Sequence, residues 1–175
     1  MRKIPNEELN RLNLMEFKSI PKNKIILVLD NIRSAQNVGS IFRTADAFAI
    51  MQICLIGITP APTNREVLKS SLGAEQSIDW KYFGDIQSCL NHLAELSAKV
   101  VLVEQIEESE DLSNYHVTHE EIHAFVFGNE VNGISDEFLS ATSHAVAISQ
   151  FGTKHSINVA VCAAIVIWQL IGKGR

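Results

Sequence analysis

Ile25-Ile26-Leu27-Val28-Leu29 is an unbroken apolar run, closed at once by Asp30-Asn31. Apolar residues without polar alternation, ended by a turn signal, are what a strand buried on both faces requires. Comparable runs recur at Met51 to Ile58, Lys99 to Val103, Ala124 to Phe127 and Ala145 to Ile148, with a weaker one at Ile78 to Phe83. Apolar positions at helical spacing lie between most of them: Val38 to Ala49, Arg65 to Leu72, Ile86 to Ala98 and Ser156 to Ile171. Strands alternating with helices predict an α/β fold, a parallel sheet with helices on both faces. Ahead of the first strand, Asn6 to Phe17 sets Leu9, Leu12, Leu14 and Phe17 among charges, which predicts a short amphipathic helix stopped by Pro21. No repeat or linker divides the chain. Residues 1–175 are expected to form one domain, with 1–20 as a short helical extension.

Composition bounds the function. Hydrophobic residues make up 46% and charged residues 20%, which is globular chemistry and excludes a disordered chain. The longest apolar run, Val159 to Trp168, is too short to cross a bilayer, so no membrane partner is expected. The Met-Arg-Lys start lacks a following apolar run, so no signal peptide is expected either. Cys54, Cys89 and Cys162 sit in apolar surroundings at wide spacing, as reduced core thiols of a cytoplasmic protein would. The net charge of −5 weighs mildly against a nucleic-acid partner, because phosphate binding usually shows as excess Lys and Arg.

In open parallel sheets, ligands sit beyond the carboxyl ends of the strands. Three polar, glycine-bearing segments fall there. After the first strand comes Asp30-Asn-Ile-Arg-Ser-Ala-Gln-Asn-Val-Gly-Ser-Ile-Phe-Arg43. The helix it enters has an apolar stripe of Val38, Ile41, Phe42, Ala45, Phe48 and Ala49, with Arg43 roughly opposite. Asn37 and Arg43 read either as a helix cap and a solvated cation, or as an anion-binding corner. The second segment, Phe127-Gly-Asn-Glu-Val-Asn-Gly-Ile-Ser135, has the glycine spacing of a phosphate loop. Ile134-Ser135 stands where that loop needs Lys-Ser/Thr, which argues against a nucleoside triphosphate. A plain strand-to-helix turn and an adenosine-sized ligand held by backbone both remain open there. In the third, Ile148-Ser-Gln-Phe-Gly-Thr-Lys-His-Ser-Ile-Asn158, Ser156 is a possible cap for the last helix. That helix is apolar nearly all round, so it needs cover on two sides, from the sheet and from a second subunit.

Together these segments resemble the motifs of the SpoU (TrmH-like) branch of the SPOUT RNA methyltransferases. The form Asn-x-Gly-x-x-x-Arg is matched by Asn37, Gly39 and Arg43. Gly-Asn-Glu-x-x-Gly is matched by Gly128, Asn129, Glu130 and Gly133. Ser-Leu-Asn-Val is matched by Ser156, Ile157, Asn158 and Val159, with Ile in place of Leu. The resemblance spans about Ile25 to Leu170. It implies a carboxy-terminal trefoil knot, a rare exception to unthreaded topology. It further implies a homodimer, S-adenosylmethionine as cofactor, no metal, and methylation of a ribose 2′-hydroxyl in tRNA or rRNA. The implied catalytic set is Asn37, Arg43, Glu130, Ser156 and Asn158. The implied cofactor set is Gly128, Asn129, Ile148, Gln150 and Ile157, with Gly128, Ile148 and Ile157 acting largely through backbone. Gln150 departs from the family, which often has an apolar residue there, and no separate RNA-binding domain is expected ahead of the motifs.

An RNA substrate must be reconciled with the acidic charge. Arg33, Arg43, Arg65, Lys69, Lys154 and His155 are expected near the ligand edge, and the acids of Glu104 to Asp111 in an outlying stretch, giving a basic mouth on an acidic body. The alternative from another class is a catalytically inert knotted dimer that binds RNA or protein. A serine hydrolase built on Ser156 and His155 lacks an orienting acid. His116, His119 and His123 have tolerable spacing for zinc on one helix but no clear fourth ligand.

Overall fold

The computed structural model describes residues 1–118, 120–154 and 156–172, apart from the side chains of Asn6 and Glu7. His119 and His155 therefore lie outside the described residues. Strand β1 (Asn23–Asp30) pairs in parallel with β2 (Ile50–Ile56) on one side and β6 (His123–Phe127) on the other. With β3 (Asp79–Phe83), β4 (Lys99–Val103), β5 (Glu110–Asp111) and β7 (Ala145–Ala147), it forms a seven-stranded sheet of order β3-β2-β1-β6-β4-β7-β5. All its strand pairings are parallel.

Burial on both faces explains the unbroken apolar runs. Ile25, Leu27 and Leu29 share one core with Ile53, Leu55, Phe125 and Phe127. That core lies under α2 (Ala35–Ala47), α3 (Arg65–Ser71), α4 (Ala74–Ser77) and α7 (Val159–Ile171). Ile26, Val28, Cys54, Ile56, Ala124 and Val126 face the other core, under α5 (Ile86–Glu95) and α6 (Asp136–Ala141). Each such Leu, Ile or Phe contributes roughly 1.5–3 kcal/mol by leaving water. The α/β expectation, parallel and covered on both faces, matches this architecture.

Local details depart from expectation where short polar residues intervene. The helix expected over Asn6 to Phe17 is two pieces, a 3-10 turn (Asn6–Leu9) and α1 (Leu14–Ser19). Asn10, at φ 46°, breaks the chain between them. Asn13 then caps α1, accepting from Met15 N and Glu16 N at 3.0 Å, while Glu16 accepts from Asn13 N at 2.8 Å. Leu9, Leu12 and Leu14 stay exposed, and Phe17 packs against the core. Helix α6 was not anticipated because Phe138 is its one buried residue, too few for a period to show. The last helix starts at Val159 because Asn158, not Ser156, is its cap.

Candidate functional site

The carboxyl ends of the strands carry the polar chemistry, and the connections there are tied by side chains. Asp30, the last residue of β1, is fully buried. Its carboxylate accepts from Ser135 N at 2.8 Å, Ser135 Oγ at 3.1 Å and Asn31 Nδ2 at 2.8 Å. A buried carboxylate is tolerated only with such donors, and here they bind the end of β1 to the loop after β6. Thr59 Oγ1 accepts from Ile32 N and donates to Leu29 O, both at 3.0 Å, which anchors the loop after β1.

Ser34 caps α2 by accepting from Asn37 N at 3.2 Å, so Asn37 is not the cap. Its side chain is spent on longer-range partners. Asn37 Nδ2 donates to Glu130 Oε1 at 2.8 Å, and Asn37 Oδ1 accepts from Asn158 Nδ2 at 3.1 Å. Asn158 Oδ1 accepts in turn from Ala160 N at 3.0 Å and Val161 N at 3.3 Å. One hydrogen-bond chain thus joins the three segments singled out in the sequence.

The motif glycines have packing reasons. A Cβ on Gly39 would stand 2.0 Å from Ser70 Oγ and 2.6 Å from Val67 O, so Gly39 lets α3 close on α2. A Cβ on Gly128 would stand 2.1 Å from the carbonyl carbon of Gly133. The sequence suggests close approach to a ligand at Gly128; the structure shows the loop folding back on itself. Asn129 and Gly133 exchange backbone bonds at 3.0 and 3.1 Å, and Asn129 Oδ1 accepts from Val131 N and Asn132 N at 2.9 Å. This makes a tight Asx turn.

Beside this chain lies a cavity of about 320 Å³. Of the anticipated residues, Gly128, Asn129 and Glu130 line it from the loop after β6. Ile148, Gln150, Ser156 and Ile157 line it from the segment after β7. Asn37 and Asn158 reach this wall through their bonds to Glu130 and to each other. Arg43 does not line it. The side chain is exposed on α2, six residues and so about 9 Å of helix beyond Asn37.

Sequence reasoning missed the part of the wall contributed by β4 and the residues after it: Val103, Glu104 and Gln105. The signal was present, because in a parallel sheet the end of β4 opens on the same edge as the ends of β1 and β6. The expected outlying acidic stretch is accordingly wrong at both ends. Glu104 lies in the cavity wall, and Asp111 accepts a short hydrogen bond from Ser149 Oγ in the segment after β7. Bonds from Ser113 and Ser149 hold the Asp111 carboxyl well down, at about 2. Burial, helped by Glu104, pushes the Cys162 thiol in the wall up to about 11, so it stays a neutral wall and not a nucleophile. An adjoining recess of about 450 Å³ carries Lys154. Arg33, Arg65 and Lys69 are exposed, with Lys69 paired to Glu66 at 2.6 Å. Among the described residues the zinc spacing finds no helix: His116 is an exposed loop residue, and His123 is buried at the start of β6 with its ring stacked on Phe125.

The sequence pattern of the SpoU rRNA Methylase family matches residues 24–168, a span that holds all three segments. The chain belongs to the SpoU rRNA methylase family. Among its relatives, RlmB of Neisseria meningitidis, a 23S rRNA (guanosine-2′-O-)-methyltransferase, is 29% identical over 151 residues. That match covers 86% of this chain but 59% of the relative, so the SpoU chain spans about three fifths of that protein's length. The tRNA (guanosine(18)-2′-O)-methyltransferase of Thermus thermophilus is 25% identical over 163 residues, covering 93% of this chain and 81% of the relative. The fold also matches the SpoU methyltransferase AviRb of Streptomyces viridochromogenes, a structure in complex with AdoMet. There the TM-score is 0.77 at 19% identity, covering 89% of this chain and 62% of that one.

Proposed function

We propose that this SpoU family member transfers the methyl group of S-adenosylmethionine to a ribose 2′-hydroxyl of tRNA or rRNA. It does so in the cytoplasm, as a homodimer of single-domain 1–175 chains, each closed by a carboxy-terminal trefoil knot. The methyltransferase activity and the cofactor go with the family. The carrying observation for the site is the Glu130–Asn37–Asn158 hydrogen-bond chain at the edge of the cavity. It brings one residue of each family motif to one place.

The cavity's size and wall fit the cofactor. About 320 Å³ lies in the range of small-molecule sites. Phe127, Ile148 and Ile157 supply apolar surface for a base, and Glu104 and Glu130 supply negative charge for a cationic ligand. Gly128, Asn129 and Gln150 complete the holding set. S-adenosylmethionine contributes a methyl group on a positively charged sulfur, and the transfer needs no metal. What the chain must add is alignment and charge stabilisation. Ser156, Glu130, Asn37 and Asn158 orient the ribose at the cavity mouth. Arg43, exposed and outside the wall of its own cavity, acts from the substrate side. Its guanidinium grips the phosphate beside the reacting ribose and stabilises the developing alkoxide. A guanidinium holds its proton under ordinary conditions and is a poor proton acceptor, so a phosphate oxygen or water takes the proton.

The knot is supported by connectivity: β7 lies three strands from β1, yet α7 packs on α2. The segment between them passes the ends of β4 and β6, with which it shares the cavity wall. The dimer is supported by α7, whose Val161 and Trp168 remain 50% and 55% exposed on an otherwise apolar helix. Trp168→Glu is expected to give monomer or aggregate in sedimentation, whereas a fully active wild-type monomer would refute the dimer.

Ribose chemistry is tested in two stages. Mass-spectrometric mapping of total RNA, with and without the gene, identifies the modified nucleotide. The substrate RNA is then offered with 2′-deoxy or 2′-fluoro at that nucleotide. Loss of methyl incorporation is expected; continued incorporation would refute ribose methylation.

A further inference from the structure

We infer that Glu104 makes the cavity select the sulfonium-bearing methyl donor over its demethylated product, which lacks that charge, a specificity role that rests on the S-adenosylmethionine reading above. Glu104 follows directly on β4, and its carboxylate is held in the wall. Oε1 accepts from Gln105 N at 3.0 Å, and Oε2 lies 2.7 Å from where a Cβ on Gly133 would stand. Gly133, at φ +69° and without a side chain, thus leaves room for this carboxylate against the loop after β6.

The wall's charge is one-sided. Glu104 and Glu130 are its carboxylates, and among the described residues it contains no Lys or Arg. Neither carboxylate forms an ion pair among the described residues. Glu130 receives a hydrogen bond from Asn37, but Glu104 has no side-chain donor among the described residues. A partly desolvated carboxylate without a cation gains most from a cationic ligand. In methyl transfer the carbon–sulfur bond breaks as the carbon–oxygen bond forms, and the broken bond's electron pair stays on sulfur. The hydroxyl proton leaves to a phosphate oxygen or water. S-adenosylhomocysteine therefore keeps the adenosine, amino and carboxylate groups of the donor and loses only the sulfonium charge. Attraction to Glu104 holds the donor and is withdrawn from the product, which favours turnover.

Calorimetry of the full chain with S-adenosylmethionine and S-adenosylhomocysteine tests this. Glu104→Gln keeps the shape and removes the charge. It is expected to weaken S-adenosylmethionine roughly ten-fold while changing S-adenosylhomocysteine less than about two-fold. Glu104→Asp, which keeps the charge, is expected to retain the preference. Equal weakening of both ligands by Glu104→Gln would overturn the inference, since hydroxyl bonding or shape would then explain it. So would no change in either, or a loss of preference in Glu104→Asp as large as in Glu104→Gln. Failure of the wild-type protein to bind either molecule would instead overturn the cofactor reading beneath it.

Discussion

The two sides of the sheet are built differently. From β1 to β3 the strands are long and continuously paired, Ile26–Asp30 against Gln52–Ile56 and Gln52–Ile56 against Asp79–Phe83. On the other side β7 meets β4 at Leu102↔Ala145 and Val103↔Val146 alone, and β5 is two residues long. The first side is held by ladder bonds and apolar burial. On the second, much chain lies in loops, tied by side-chain bonds such as Asp111 with Ser149 and Asn37 with Glu130. Short strands free backbone to shape a cavity, and the long-paired side is the frame that keeps those loops in register. Asp30 joins the two, since it ends β1 and holds Ser135.

The contrast can be broken hardest in the frame. Phe42, fully buried between α2 and the sheet, should cost about 3–5 kcal/mol when changed to Ala, read as a lowered urea midpoint. An unchanged midpoint would mean that the frame does not carry the stability. Arg43, one residue further on and exposed, should leave that midpoint nearly unmoved as Ala. Its effect should fall on kcat instead, roughly a hundred- to a thousand-fold, or about 2.7–4 kcal/mol of transition-state stabilisation. Arg43→Lys should recover little, because a point charge does not reproduce a planar fork. Arg43→Ala should also keep S-adenosylmethionine affinity; its loss would place the guanidinium in the cofactor site.

Gly128→Ala acts on the loop side. With a Cβ 2.1 Å from the Gly133 backbone, the turn must open, so cofactor binding should vanish in calorimetry. The cost in stability should be smaller than for Phe42→Ala. If binding survives, the turn is not what shapes the cavity.

A smaller effect concerns pH. Burial lowers the pKa of His123, and its Nδ1 has no partner among the described residues. Burial, and then Lys81, lowers that of His92. The unfolded chain takes up these protons near the ordinary value of about 6.5, whereas the folded chain resists them. Stability should therefore be full above that value and fall as the pH drops below it. His123→Phe should flatten the slope in part; an unaltered slope would remove His123 from the account. At the small end, Phe151 is 98% exposed on the loop side, and Phe151→Ala should shift the midpoint by no more than about 0.5 kcal/mol.

Much of the frame was legible. The run Ile25 to Leu29 became β1, and the stripe of Val38, Ile41, Phe42 and Ala45 became the buried face of α2. Long segments reveal their period because many residues repeat the same environment. Segments such as β5 and α6 are too short to do so. At the site, the residue types were legible and the partnerships were not. Asn37 was expected as a cap or a ligand residue, and it is the middle of a bridge from Glu130 to Asn158. Glu104 was expected in an outlying acidic stretch because neighbouring acids hid its place at the end of β4.

By itself, then, the sequence determined the α/β class, the order of the longer strands and helices, and the three polar segments that meet at one edge of the sheet. Those properties follow from apolar spacing, turn residues and motifs, which are local. Only the tertiary structure decided that Gly128 yields to Gly133, that Glu104 enters the cavity wall, and that Arg43 stands outside it. These facts depend on contacts between residues far apart in the chain. Their distances are set by the strand order β3-β2-β1-β6-β4-β7-β5, which no local pattern encodes.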